Sequence, residues 1–130
     1  MRGKVYNEDR ARQLRDFSGL RFGAITPTDV DGLLDFNNKL FVLIEAKVTG
    51  ASLPKGQRLA LERVCDAIQD EDKTAAILVI THNTQVDQKI DFANCQVIEY
   101  RYKKTWKAPH SFINCRDAIE KLLIVAGVPF

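Results

Sequence analysis

An α/β fold with a mixed central sheet flanked by helices is what the sequence predicts, and three observations predict it. Residues 30–36 and 40–48 are two runs, the second apolar and β-branched, with Asn37-Asn38 between them, the pattern of a β-hairpin. A helical pattern from Pro54 to about Gln69 leads into a continuous apolar run at 75–81. Such a run marks a strand covered on both faces, and the helix before it provides the crossover for parallel pairing with the hairpin. A last helical pattern, 114–126, carries stop and start signals at both ends. The expected order is α-β-β-α-β-β-α.

The first helix is expected from Asn7 as N-cap through Phe17, with Glu8 and Asp9 in the first turn, where the helix dipole favours acids. Its apolar stripe is thin, Ala11, Leu14 and Phe17, and Ser18-Gly19 ends it. The hairpin follows a connection through Pro27. On the second helix Gln57, Leu61, Val64 and Ile68 fall at i, i+4, i+7 and i+11, a stripe expected to face the sheet with Gln57 as its polar head. Residues 96–102 read as a further strand. The final helix has Asn114 and Asp117 in capping-box spacing, a stripe of Ile119, Leu122, Leu123 and Ala126, and Gly127 then Pro129 beyond its end.

A length of 130 residues predicts one domain, 1–130, able to bury roughly two-thirds of its unfolded surface. With 45% hydrophobic and 28% charged residues and no apolar run long enough for a bilayer, a cytoplasmic protein with no membrane partner is expected. Cys65, Cys95 and Cys115 are odd in number and unclustered, which argues against a disulfide framework or a Cys-based zinc site and predicts buried thiols. The net charge of +2 is small, but six Lys/Arg against three acids in residues 1–22, and four with no acid in residues 101–107, form local basic patches.

The chemistry concentrates between Thr28 and Gln57. Glu45 and Lys47 sit two apart inside the apolar run Phe41-Val42-Leu43-Ile44-Glu45-Ala46-Lys47-Val48, so both emerge on one face of a strand. Burying charges there costs several kcal/mol each unless something compensates, and a divalent cation with a bound phosphate does so. Asp31 and Glu45 are the candidate ligands of Mg²⁺ or Mn²⁺, with the Ala46 carbonyl as a further oxygen. Lys47 is placed to orient or deprotonate an attacking water, and Gln57 to bind that water or a phosphate oxygen.

Hairpin register decides whether this grouping exists. A loop of only Asn37-Asn38 pairs Phe36 with Lys39 and sets Asp31 opposite Ile44, on the wrong face. A three-residue loop, or a bulge, pairs Phe36 with Leu40 and sets Asp31 opposite Glu45. The second arrangement is expected.

Thr28-Asp29-Val30-Asp31-Gly32, Glu45-Ala46-Lys47 and Gly56-Gln57-Arg58 together resemble the PD-(D/E)XK nuclease superfamily, over residues 7 to about 100. The motifs are short, and their order and spacing carry the likeness. Thr28 separates Pro27 from Asp29, so the Pro-Asp pair itself is absent. The resemblance implies a restriction-endonuclease-like core, metal ligands Asp31 and Glu45, catalytic Lys47 and accessory Gln57. Asp29 and Glu8 are the alternative or additional acids, Asp31 being favoured over Asp29 by its setting within the strand. The expectation is a metal-dependent DNA endonuclease, structure-selective in its cutting and suited to a homodimer. Nucleic-acid contacts are expected from Lys55 and Arg58 and from the interleaved bases and aromatics Arg101, Lys103, Lys104 and Trp106. The rival is a non-catalytic module of the same fold that binds nucleic acid or protein.

Overall fold

The computed structural model describes residues 14–129. Most of the expected first helix, Glu8 included, lies outside the described residues. Its expected last turn, residues 14–17, has no helical structure, and Ser18–Leu20 form only a 3₁₀ turn.

Five strands make one mixed sheet in the spatial order of the sequence: β1 Gly32–Phe36, β2 Leu40–Val48, β3 Thr74–His82, β4 Gln96–Tyr102 and β5 Thr105–Lys107. Helix α1, Lys55–Asp70, links β2 to β3, and helix α2, Cys115–Ala126, closes the described fold. The β2–β3 pair is parallel and every other pair antiparallel, as the apolar run of β3 and the crossover through α1 require. The described order is therefore β-β-α-β-β-β-α, with a strand, β5, beyond those expected. Among the described residues no helix is long and apolar enough to cross a membrane.

The hairpin adopts the three-residue loop. Phe36 pairs with Leu40 and Gly32 with Ile44. Asn37 and Asn38 both take positive φ, 54° and 65°, which asparagine tolerates better than other side-chain-bearing residues. The Asp35 carboxylate accepts the Asn38 N–H at 2.8 Å, and the Lys39 carbonyl accepts the Thr74 N–H at 3.0 Å, which aligns the start of β3.

The sheet divides two cores. Leu43, Leu61, Cys65, Ala75, Ile77 and Val79 pack between sheet and α1, while Leu40, Val42, Ile44, Leu78, Ile80, Val97 and Leu123 pack between sheet and α2. Helix α1 is rotated slightly from the expected stripe. Cys65 is buried in place of Val64, and Val64 is 51% exposed. Helix α2 is capped as its sequence predicts: the Asn114 side chain accepts the Asp117 N–H at 2.8 Å, and Gly127 ends the helix at φ 69°. All three cysteines are buried free thiols, and burial pushes those of Cys65 and Cys115 up to about 11, which fits packing groups and not nucleophiles.

A bulge in β4 decides which side chains reach each face of the sheet. Val79 faces Glu99 but Ile80 faces Val97, so Ile98 is the extra residue. Val97 thereby enters the α2 core while Glu99, two residues on, reaches the α1 side.

Truncation separates the two readings of the α1 stripe. Leu61→Ala is expected to cost about 2–5 kcal/mol and Val64→Ala less than about 0.5 kcal/mol, measured by urea unfolding. Equal costs would overturn the observed helix rotation.

Candidate active site

Side chains alternate along β2, so Leu43, Glu45 and Lys47 share the α1 face. Glu45 is the one charged residue that is fully buried among those described, with 1% of its surface exposed. It is held from three elements. The Asp31 N–H, just before β1, donates to Oε2 at 3.1 Å, and the Gln57 amide, in the first turn of α1, donates to Oε1 at 2.5 Å. Lys47 Nζ lies 3.9 Å from Oε1.

Gln57 joins the group together. Its Nε2 also donates to the Asp29 carbonyl at 3.2 Å, and its Oε1 accepts from Lys47 Nζ at 3.2 Å. Asp31 enters by the three-residue register of the hairpin, and its Oδ2 accepts the Ala46 N–H at 2.8 Å. The N–H and C=O of one strand residue point to the same side, so the Ala46 carbonyl also faces the Asp31 edge, where β1 has ended. Asp29 is turned outward: its carboxylate lies 3.7 Å from Arg15 and both side chains are well exposed.

These residues line a cleft of about 690 Å³, walled by residues 24–29, the end of β2 and the start of α1. Gly56 and Ala60 keep the α1 wall of the cleft low, and Arg63, at i+7 from Gly56, lines its outer wall. Arg63 is absent from the residues that the motifs single out; its i+7 and i+3 relation to Gly56 and Ala60 is the signal that could have found it.

Burial pushes the Glu45 carboxyl above its ordinary value of 4.5, while the Asp31 N–H opposes this; repulsion from Asp31 adds to the rise, and Lys47 and Gln57 oppose it. Two acids thus converge on one small volume with a single ammonium beside them. Among the described residues no group of three His, Cys, Asp or Glu forms a ready metal cage. The donor set nevertheless suits Mg²⁺ or Mn²⁺, which use one or two carboxylates and complete their shell with water and substrate oxygens.

The expected nucleic-acid contacts fare differently. Arg58 makes a two-pronged pair with Glu99 at 2.8 and 2.6 Å and stacks 3.9 Å from the Trp106 ring centre. Arg101 grips Asp66 at 3.0 and 2.8 Å, Trp106 Nε1 donates to Glu62, and Lys104 pairs with Asp70. The Arg101 guanidinium holds the Asp66 carboxyl below its usual range. Arg58, Arg101 and Trp106 are therefore engaged between α1 and the β4–β5 edge, while Lys104, paired with Asp70, stays exposed. Lys55 and Lys103 are exposed, and Lys103 lies 5.6 Å from the Tyr102 ring centre.

No protein-family model matches the chain, and neither the curated proteins nor the solved structures contain a match. The site's geometry and chemistry therefore carry the functional reading.

A carboxyl that holds its proton more tightly folded than unfolded makes the folded chain bind more protons between the two values. Stability then falls as pH rises through that window, from 4.5 up to the raised value. Glu45→Gln has no such group. Its urea midpoint is expected to vary less with pH above 4.5 than that of the native chain, which is expected to lose stability as pH rises through the window. Parallel pH profiles for the two proteins would contradict a desolvated Glu45.

Proposed function

We propose that this chain is a metal-dependent DNA endonuclease that hydrolyses phosphodiester bonds, built on a restriction-endonuclease-like core. The observation that carries the reading is the hydrogen-bonded convergence of Asp31, Glu45, Lys47 and Gln57, from three separate elements, at one cleft. A structural Glu–Lys pair alone needs neither Asp31 in this register nor an amide bridging both partners.

Asp31, Glu45 and the Ala46 carbonyl would hold Mg²⁺ or Mn²⁺, which supplies charge neutralisation at the phosphate and acidifies a bound water. Lys47, as the ammonium, would add a cation beside the scissile phosphate and orient the attacking water by donating to its oxygen, the water's proton passing to solvent. Gln57 fixes Lys47 and Glu45 relative to each other, so that neither must reorganise as charge develops. Arg63 and Lys55, on the cleft wall and at the start of α1, are the cations suited to flanking backbone phosphates. Structure-selective cutting belongs to the same proposal, since a cleft whose flanking groups are cations reads backbone shape more readily than base sequence.

Supercoiled plasmid, linear duplex, single strands and a four-way junction, each with Mg²⁺, Mn²⁺ or EDTA, test the proposal. Cutting is expected only with metal, and Glu45→Ala and Lys47→Ala are expected to lower the rate by orders of magnitude while circular dichroism stays native. No cutting of any substrate, or cutting unchanged in both variants, would overturn the catalytic assignment. Binding that persists in EDTA without cutting would make the non-catalytic module the better reading.

A further inference from the structure

On the face of the sheet opposite the cleft, α2 leaves β4 partly uncovered. The result is a groove of about 720 Å³ whose floor and walls include Tyr100, Tyr102, Ile113 and Leu122. Its rim carries large apolar side chains in water: Phe112 is 71% exposed, Ile124 70% and Val125 64%. Neither the fold nor the proposed active site accounts for that exposure. Contiguous aromatic and aliphatic groups inside a charged rim are the composition of a protein interface.

The charges on the rim select the occupant. Asp117, Glu120 and Lys121 all line the groove, so both signs are present. Acids there repel a phosphate backbone, and the Arg101 and Trp106 that interleave with the two tyrosines point to the other face of the sheet, toward α1. A patch of mixed sign is instead complementary to itself under a two-fold rotation, which brings residue i of one copy to j of the other and j to i.

The positions along α2 obey that symmetry. Asp117, Lys121, Ile124 and Val125 are successive positions of one helical stripe, at spacings of four, three and one, and all four line the groove. Asp117 and Lys121 lie two residues either side of Ile119. Ile124 and Val125 lie five and six residues after it, and Phe112 stands in the segment that leads into α2. An antiparallel pairing of two α2 helices about that point therefore sets Asp117 of each copy against Lys121 of the other, twice over, with the exposed Ile124 and Val125 at the ends of the contact. We propose that this face is a homodimer interface, in which the exposed Phe112, Ile124 and Val125 are covered by the α2 face of a second copy of this chain. The inference does not depend on the nuclease reading.

Sedimentation equilibrium of the full chain, from low micromolar to near-millimolar concentration, tests it. A species of twice the chain mass is expected, and Phe112→Asp and Val125→Lys are each expected to give monomers with unchanged circular dichroism. Asp117→Lys and Lys121→Glu place like charges against each other in their own homodimers, so each alone is expected to be monomeric. Mixed together they set opposite charges across both contacts, and a heterodimer is expected. A monomer at every concentration, a dimer indifferent to Phe112→Asp and Val125→Lys, or failure of the mixed charge variants to pair would overturn the proposal.

Discussion

A carboxylate lies at the centre of this fold, on the middle of β2, and the surrounding structure is arranged to tolerate it. Glu45 sits between Ile44 and Ala46 and beside Val79 of the parallel neighbour, in a setting that otherwise suits only apolar groups. Leaving such a group without partners costs several kcal/mol. Each of its oxygens has a donor, and no buried side-chain nitrogen or oxygen among the described residues lacks a partner. The donors come from the entrance to β1 and the first turn of α1. The entry of β1 and the angle of α1 are thus fixed by the needs of one side chain, and Asp31, Lys47 and Gln57 are brought together as a consequence.

Helix α1 is held from its other side by a second set of interactions. Arg58, Glu62, Asp66 and Asp70 recur every four residues and meet, in order, Glu99, Trp106, Arg101 and Lys104 of β4, β5 and the turn between them. A single exposed ion pair contributes about 0–1 kcal/mol. Here the Arg58 and Arg101 pairs are two-pronged and partly shielded, which makes them stronger and orientationally specific. The stripe sets the rotation of α1 about its own axis. That rotation brings Cys65 inward, turns Val64 to solvent and points Gln57 at Glu45. Arg58, Arg101 and Lys104 thereby keep the helix carrying Gln57 in place.

How much of this is legible in the sequence depends on the range of each signal. The bounds of β2 and β4 come from apolar alternation and β-branching, and the caps of α2 from Asn114 and Gly127, all local features. The hairpin register is legible only jointly with the site, because the turn residues alone allow two loops and the pairing of Asp31 with Glu45 selects one. The α1 stripe misplaces Val64 because positions i+7 and i+8 lie nearly equally close to the same face. The deciding contacts come from β4 and β5, far along the chain. Strand β5 is invisible because its turn places Lys103 and Lys104 at φ 50° and 62°, a conformation lysine adopts only under tertiary constraint. The bulge at Ile98 leaves no mark in composition, yet without it Glu99 faces the wrong core.

The same two-residue alternation that groups Glu45 with Lys47 also divides β4 between two roles. Arg101 turns to α1 while Tyr100 and Tyr102 turn to α2, so one segment that reads as a single basic and aromatic surface supplies two opposite faces. The cleft lies on the α1 face and the exposed apolar groove on the α2 face, with the full thickness of the sheet between them. Association through α2 would therefore leave both clefts of a pair uncovered, each facing away from the axis. Pairing through the α1 face would instead bury Glu45, Lys47 and Arg63 against protein and close the cleft that brings acids and cations together. If two copies pair, the sheet's alternation thus determines the face on which they can do so without obstructing the site.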